Sequence, residues 1–330
     1  MAIQGSEPTY NLSTSLEPPH PPGAAMLESE FDGVNTRQLT QLQLIWIRFR
    51  RHRLAMIGSG ILLFMALMAI FAPIISPENI YNPNSANIFG AADKAPTFAD
   101  GLRYIFGADF NGHSICAQII YGARFSLLIG FVSSFLATLI GASIGAVAGF
   151  FGGVIDTILM RIVDIFLTLP FFPVLLVSAS LFGHGQLTVF LVILIFAFFG
   201  WAYIARLTRA QFLSLRTLEF VEAAKAVGVS NTRTIFRHLL PNAVRPLVVA
   251  TTLAVANFIV LEAAIDFLGI GLQYPDTSWG SVLAFAEEDP QGLAAAWWVT
   301  VFPGLFLVAT IVAVNFVGDG LSDALDVRGK

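Results

Sequence analysis

SLLIGFVSSFLATLIGASIGAVAG, Ser126 to Gly149, holds 24 consecutive residues without a charge. A bilayer core takes roughly 20 helical residues, so this run alone reads as a membrane span. Five further apolar runs of sufficient length lie near 54–75, 157–182, 188–207, 247–269 and 298–318. Composition agrees. Of the 330 residues 56% are hydrophobic, 30 are Phe and only 12% are charged, against about 25% charged in an ordinary soluble domain. Mean hydropathy is +0.74. Water does not tolerate that much exposed apolar surface, so the expected fold is an all-α membrane protein with six transmembrane helices, its surroundings the lipid bilayer.

Other classes are disfavoured by what the chain lacks. Cys116 is the single cysteine, which excludes an internal disulfide framework and any multi-cysteine metal centre. His20, His52, His113, His184 and His238 are scattered, so no metal site is expected. A net charge of −4 gives no electrostatic reason for nucleic acid to bind.

The first 36 residues are polar, with five prolines among the first 22. They read as a disordered tail without the apolar core of a secretory signal. Next, Leu39, Leu42, Trp46 and Phe49 form one helical stripe beside Arg48, Arg50, Arg51 and Arg53. Such an amphipathic helix would lie on an anionic leaflet. Cationic residues orient the spans. With both termini inside, 15 of the 18 Lys and Arg fall on the cytoplasmic side, leaving Lys94, Arg103 and Arg124 outside. The outer loop 270–297 has no Lys or Arg and carries Asp276, Glu287, Glu288 and Asp289. Its Gln273-Tyr274-Pro275 and Ser278-Trp279-Gly280 suit an interfacial aromatic belt or contact with an external protein. N-in, C-in is expected.

The cytoplasmic loop 208–246 is long and patterned. From Thr217 to Val227, Phe220, Ala223, Ala224 and Val227 form a helical stripe. Gly228 supplies a left-handed stop. Ser230 is a suitable N-cap for a second helix carrying Ile235, Phe236 and Leu239, which Pro241 is expected to end. A bracket tied by both ends to spans can transmit force from a soluble partner.

The run Glu222-Ala223-Ala224-Lys225-Ala226-Val227-Gly228, followed after nine residues by His238 and then Leu240-Pro241, resembles the EAA loop of ABC importer membrane subunits. The histidine is similar to the peptide-importer branch. Residues 42–95 resemble the N-terminal segment of dipeptide and oligopeptide permease C-type subunits. Tyr121-Gly122-Ala123-Arg124-Phe125-Ser126-Leu127, Phe267-Leu268-Gly269, Ser278-Trp279-Gly280 and Gly318-Asp319-Gly320-Leu321-Ser322-Asp323 are similar to later signatures of that family. Two departures are Gly112-His113-Ser114 where the family has Gly-Arg-Asp, and Asp326-Val327-Arg328 where it has Asp-Pro-Arg. The resemblance implies the type I ABC importer transmembrane fold and an ATPase-coupling role for Glu219, Glu222, Ala223, Ala224, Gly228, Leu240 and Pro241. It divides the chain into a cytoplasmic tail 1–36, a basic helix with the first span over 37–95, a transmembrane module over 122–319 and a cytoplasmic end 320–330. It also implies a second, B-type permease subunit as heterodimer partner, two ABC ATPase subunits and an external substrate-binding protein. Peptides are the implied cargo; nickel chelates, opines or another small solute would use the same machinery.

No ATP site is expected in this chain. A phosphate loop needs Gly-Lys followed by Ser or Thr, and the lysines are Lys94, Lys225 and Lys330. The chain would therefore be a non-catalytic transport subunit without cofactors, ATP and Mg being bound by the partner ATPases.

Gly141, Gly145 and Gly149, continued by Ala137 and Ser133, form a small-residue seam where helices approach closely in lipid, within the subunit or with its sister. Gly141-Ala142-Ser143-Ile144-Gly145 also matches the G-x-S-x-G pattern, but a nucleophile elbow needs a strand–turn–helix and this one sits mid-span. Pro170 and Pro173 should bend the third span, either as a broken helix of the kind that often borders a transport pathway or as a merely kinked structural helix. Asp156, Arg161 and Asp164 cluster at its start, with Arg161 and Asp164 spaced to pair on one face. Glu262 and Asp266, four apart on the fifth span, should face protein, a cavity or water. They are candidates for the substrate pathway, or for hydrogen bonding at the helix end or across the subunit interface. They also lend some support to an ion-coupled secondary transporter, against which the bracket counts.

Overall fold

The structure is a computed structural model describing residues 40–76, 92–99, 103–182, 188–272, 276–287 and 296–325. The 1–36 tail, Leu39, 273–275 and 326–328 lie outside these, as do the side chains of Leu42 and Lys225. Residues up to Gln43 and from Leu44 onward form separate units, and the packing below concerns the second.

The described residues are helical, with one isolated bridge between Ala108 and Ser114. In chain order the helices are α1 (Gln41–Arg51), α2 (Arg53–Ile70), α3 (Ala72–Ile75), α4 (Ile115–Phe151), α5 (Gly153–Thr168), α6 (Phe171–Phe182), α7 (Val189–Leu215), α8 (Glu219–Ala226), α9 (Asn231–Arg233), a π-helical turn (Thr234–Leu239), α10 (Leu240–Phe267), α11 (Trp279–Glu287) and α12 (Trp297–Leu325). Starts are capped locally. Ser114 Oγ accepts from Ala117 N at 3.2 Å, Thr188 Oγ1 from Leu191 N at 3.3 Å and His52 Nδ1 from Ala55 N at 3.1 Å. Each supplies an acceptor for a helix N–H that has no partner within its own helix. Gly152, at φ +69°, ends α4.

Among the described residues five helices are long and apolar enough to cross a membrane, or six if the bent pair α5–α6 is one span. That pair turns by 82° at Pro170, which lacks the N–H that would continue α5. Several spans outrun their hydropathy. The 37 residues of α4 extend roughly 55 Å, well beyond the run that starts at Ser126. Its first turns are covered by protein: Ile115 and Ile119 are fully buried with Trp279, Trp298 and Met65. An apolar window misses them because Gln118 and Arg124 interrupt it.

Pro241 does not end the second bracket helix as expected. The chain runs as a candidate span from Asn231 to Phe267 through the π-turn. That wider turn precedes the position where proline has no N–H to donate, and Asn242 Nδ2 donates to the His238 carbonyl at 2.7 Å. The helix therefore changes register instead of stopping.

Among the described residues the three largest buried clusters lie between the long helices. One joins α2, α4, α11 and α12 around Trp279 and Trp298. A second joins α4, α6, α7 and α10 around Phe196 and Phe258. A third lies under the bracket, with Phe150, Phe212, Val221, Leu239 and Leu247. Large apolar side chains elsewhere, such as Phe64, Phe135, Phe198 and Leu305, point outward, as lipid-facing residues do.

Candidate functional site: the 219–239 elbow

Between α7 and α10 the chain doubles back in a short elbow built on a fixed base. Arg209 Nε and Nη2 donate to both carboxylate oxygens of Asp156 at 2.5 and 2.6 Å. Arg206 Nη2 donates to Asp164 at 2.5 Å. Asp164 thus pairs across helices rather than with Arg161 as its spacing suggested, because α5 lies against α7 and offers it a guanidinium there. Arg216 Nη1 donates to the Gly149 carbonyl at 3.2 Å, closing the base against the end of α4.

The glycine seam of α4 is occupied by α7. A Cβ on Gly141 would stand 2.5 Å from the Trp201 carbonyl oxygen and 2.7 Å from Ile204 Cβ. On Gly145 it would overlap the Ala205 carbonyl oxygen, and on Gly149 it would lie 2.6 Å from Phe212 Cβ. Here the seam partner is within the same chain. Where ordinary apolar contact offers little preference over lipid, this backbone approach supplies the packing.

Val221 is fully buried and Ala224 nearly so, so of the stripe read from the sequence Ala224 alone turns to the bundle, beside Val221 from outside that stripe. Phe220, Ala223 and Val227 are exposed, as are Glu219 and Glu222. The eight-residue helix has two apolar faces, and its own bundle takes the one with Val221. Gly228 has φ +79° with open space around it, and Val229 N donates to the Ala224 carbonyl at 3.0 Å. Ser230 caps with its carbonyl, accepting from Thr234 N at 2.9 Å; its side chain makes no capping bond. Beyond it Ile235 and Leu239 turn inward while Phe236 is 65% exposed and Val227 80%. Ser230, Arg233, Phe236, Arg237 and Pro241 line a shallow groove on the outer side of the elbow, with Leu240 partly buried beside the third cluster. An acidic first helix, a basic second one and an exposed apolar ridge between them can dock a complementary protein surface.

At the other end of α10, Glu262 and Asp266 are 0% and 1% exposed. Ser126 Oγ donates to Glu262 Oε1 at 3.2 Å, Leu272 N to Asp266 Oδ1 at 2.7 Å, and Ser278 Oγ to Asp266 Oδ2. The two acids fasten the segment leading into α11 onto α4 and α10, and in this conformation they present no accessible surface to a pathway. Ser126 and Ser278 were not singled out as partners from the sequence, because small hydroxyls carry no local signal. Pro170 and Pro173 are exposed at the α5–α6 bend, remote from the elbow in sequence.

Residues 141–329 match the family described as binding-protein-dependent transport system inner membrane component, and residues 40–96 match the N-terminal TM domain of oligopeptide transport permease C. The dipeptide transport system permease protein DppC of Bacillus subtilis is 37% identical over 91% of this chain and 89% of its own length. A putative peptide permease protein of Brucella ovis is 38% identical over 86% and 90%, and the oligopeptide transport system permease protein OppC of Haemophilus influenzae 34% over 86% and 87%. An inward-facing methionine ABC transporter structure, MetNI, aligns with a TM-score of 0.49 at 24% identity, over 61% of this chain and 93% of that one.

Proposed function

The chain belongs to the family of binding-protein-dependent transport system inner membrane components, and from that premise we propose that it is the permease subunit of an ATP-driven importer of dipeptides or oligopeptides. The names of the similar proteins support the peptide cargo. In this reading a B-type sister permease completes the pathway, two ABC ATPases bind ATP and Mg, and an external binding protein delivers substrate. The chain itself performs no hydrolysis. Both termini and the elbow are cytoplasmic, in keeping with 15 of 18 basic residues on that side.

The observation that carries the proposal is the elbow's division of labour. Val221, Ile235 and Leu239 root it in the bundle, while Glu219, Glu222, Phe220, Val227 and Phe236 face outward. An ATPase that moves on nucleotide binding would push this ridge. The π-turn continues the push without a break into α10, whose far end holds the Glu262–Asp266 fastening. Helix α10 would thus act as a stiff lever, and alternating access would follow from its rocking against α4. Glu222 offers the charged contact and Gly228 the turn. The bend at Pro170 and Pro173 would border the pathway.

The test is co-expression with the ATPase subunits and reconstitution. Glu222→Arg and Gly228→Pro should abolish ATP-driven uptake and weaken ATPase co-purification. Full transport by an assembled complex carrying both changes would refute the coupling role. Uptake by the chain alone, driven by protons or sodium, would refute the importer reading.

A further inference from the structure

The segment leading into the first span packs one side on its own bundle and leaves the other exposed. Ile45 and Phe49 of α1 pack on Ala55, Val317, Leu321 and Ala324. Gly320 lets this happen: a side chain there would overlap Ala55 Cβ and lie 3.4 Å from the Phe49 ring. His52 adds a polar tie, with Nδ1 accepting from Ala55 N and Nε2 3.5 Å from Asp323 Oδ2. The short helix is therefore fastened to the terminal part of α12.

Its opposite side is open and chemically mixed. Leu44, Trp46 and Ile47 are exposed, Trp46 by 57%, with its ring stacked at 6.2 Å on Phe49. Arg50, Arg51 and Arg53 are exposed among them. No Asp or Glu occurs between Leu44 and Ser76, and Asp323 faces His52. Two residues past the last of these arginines the chain is already inside an apolar helix of mean character suited to the bilayer. Cations interleaved with Trp, Ile and Leu at the mouth of a span match the boundary between phosphates and acyl chains. A soluble acidic protein would need the charges but would have no use for the apolar side chains at bilayer depth.

We propose that residues 44–53 form an anionic-lipid binding site, in which Arg50, Arg51 and Arg53 hold headgroup phosphates while Trp46 and Ile47 enter the acyl boundary, and that Phe49 and Gly320 join this site to the last helix. It rests on α2 crossing the bilayer and is independent of the transport cycle.

The experiment places the full-length chain, in a Cys116→Ala background with a bimane on Ile47→Cys, into vesicles of phosphatidylcholine with added phosphatidylglycerol. Either lipid carries bromine on its acyl chains as the quencher. Brominated phosphatidylglycerol should quench at least about five-fold more effectively per molecule than brominated phosphatidylcholine, the scale of one Arg near an anionic surface. R50Q/R51Q/R53Q should reduce the ratio towards one, and R50K/R51K/R53K should keep it. Should the triple Gln variant not fold, the single Arg→Gln variants are read in its place, each lowering the ratio. Equal quenching by both lipids in the arginine-bearing chain, or a selectivity unchanged in the Gln variants, overturns the site. Because no uptake is measured, this outcome is separate from the fate of the importer reading.

Discussion

Asp156 and Arg209 face each other across 53 positions of sequence, both guanidinium donors on both carboxylate oxygens, at 2.5 and 2.6 Å. The pair joins α5 to α7 at the base of the elbow, and it is only partly open to solvent, with side-chain exposures of 14% and 32%. A lever works only if its base holds, and this contact is one of the fasteners.

Breaking it should loosen the base measurably. Asp156→Asn or Arg209→Gln alone is expected to cost roughly 1.5–3 kcal/mol, the range for hydrogen bonds to charged groups. Thermal unfolding in detergent measures this. A double-mutant cycle should show coupling, the second substitution costing far less than the first.

Local packing predicts opposite outcomes for two glycines, one in the seam and one outside it. Gly145→Leu forces a side chain into Ala205 and Thr208 and should lose at least about 1–3 kcal/mol, seen as a collapse in the monodisperse fraction. Gly304 lies within α12 with nothing within 4 Å. Gly304→Ala should raise stability by roughly 0.5–1 kcal/mol, the helical gain over glycine.

At the elbow, shape and surface separate. Gly228→Ala meets no neighbour, yet its φ of +79° should cost about 1–2 kcal/mol, with partial loss of ATP-driven uptake. Val227→Asp with Phe236→Ala removes exposed apolar surface and should leave the melting temperature within about 2 °C, since surface changes stay near ±0.5 kcal/mol. The same variant should lose ATPase co-purification. Unimpaired co-purification would remove the ridge from the proposed docking surface.

The buried acids make a prediction at the opposite end. Ser278→Ala deprives Asp266 of a donor, and Ser126→Ala deprives Glu262 of one. Each should cost about 1–3 kcal/mol, the penalty for a buried polar group left unsatisfied. Hydrogen exchange in α11 should rise with Ser278→Ala, because that serine precedes the helix it fastens.

Much of this molecule was legible before any folding. Charge-free runs such as Ser126–Gly149 announced helices in lipid, because transfer of twenty apolar residues is a local property of the run. Gly228 was readable as a turn for the same reason, left-handed backbone being a property of one residue. Pro170 likewise marked a bend. What the sequence left undecided or misassigned was which neighbour claims a face. The bundle took Val221 of α8 and left Phe220 outside; Asp164 found Arg206 rather than Arg161; and α10 ran through Pro241 by way of a π-turn, while the glycine seam, open between two partners in the sequence, closed on α7 of the same chain. Ser126 and Ser278 became partners of Glu262 and Asp266 only because α4, α10 and α11 meet there. Amphipathic patterns state that a surface must be covered, but they are blind to what covers it. That choice is made by contacts between residues from 12 positions apart, as Asp266 and Ser278, to 136, as Ser126 and Glu262, where packing in three dimensions selects among alternatives that local chemistry leaves equal.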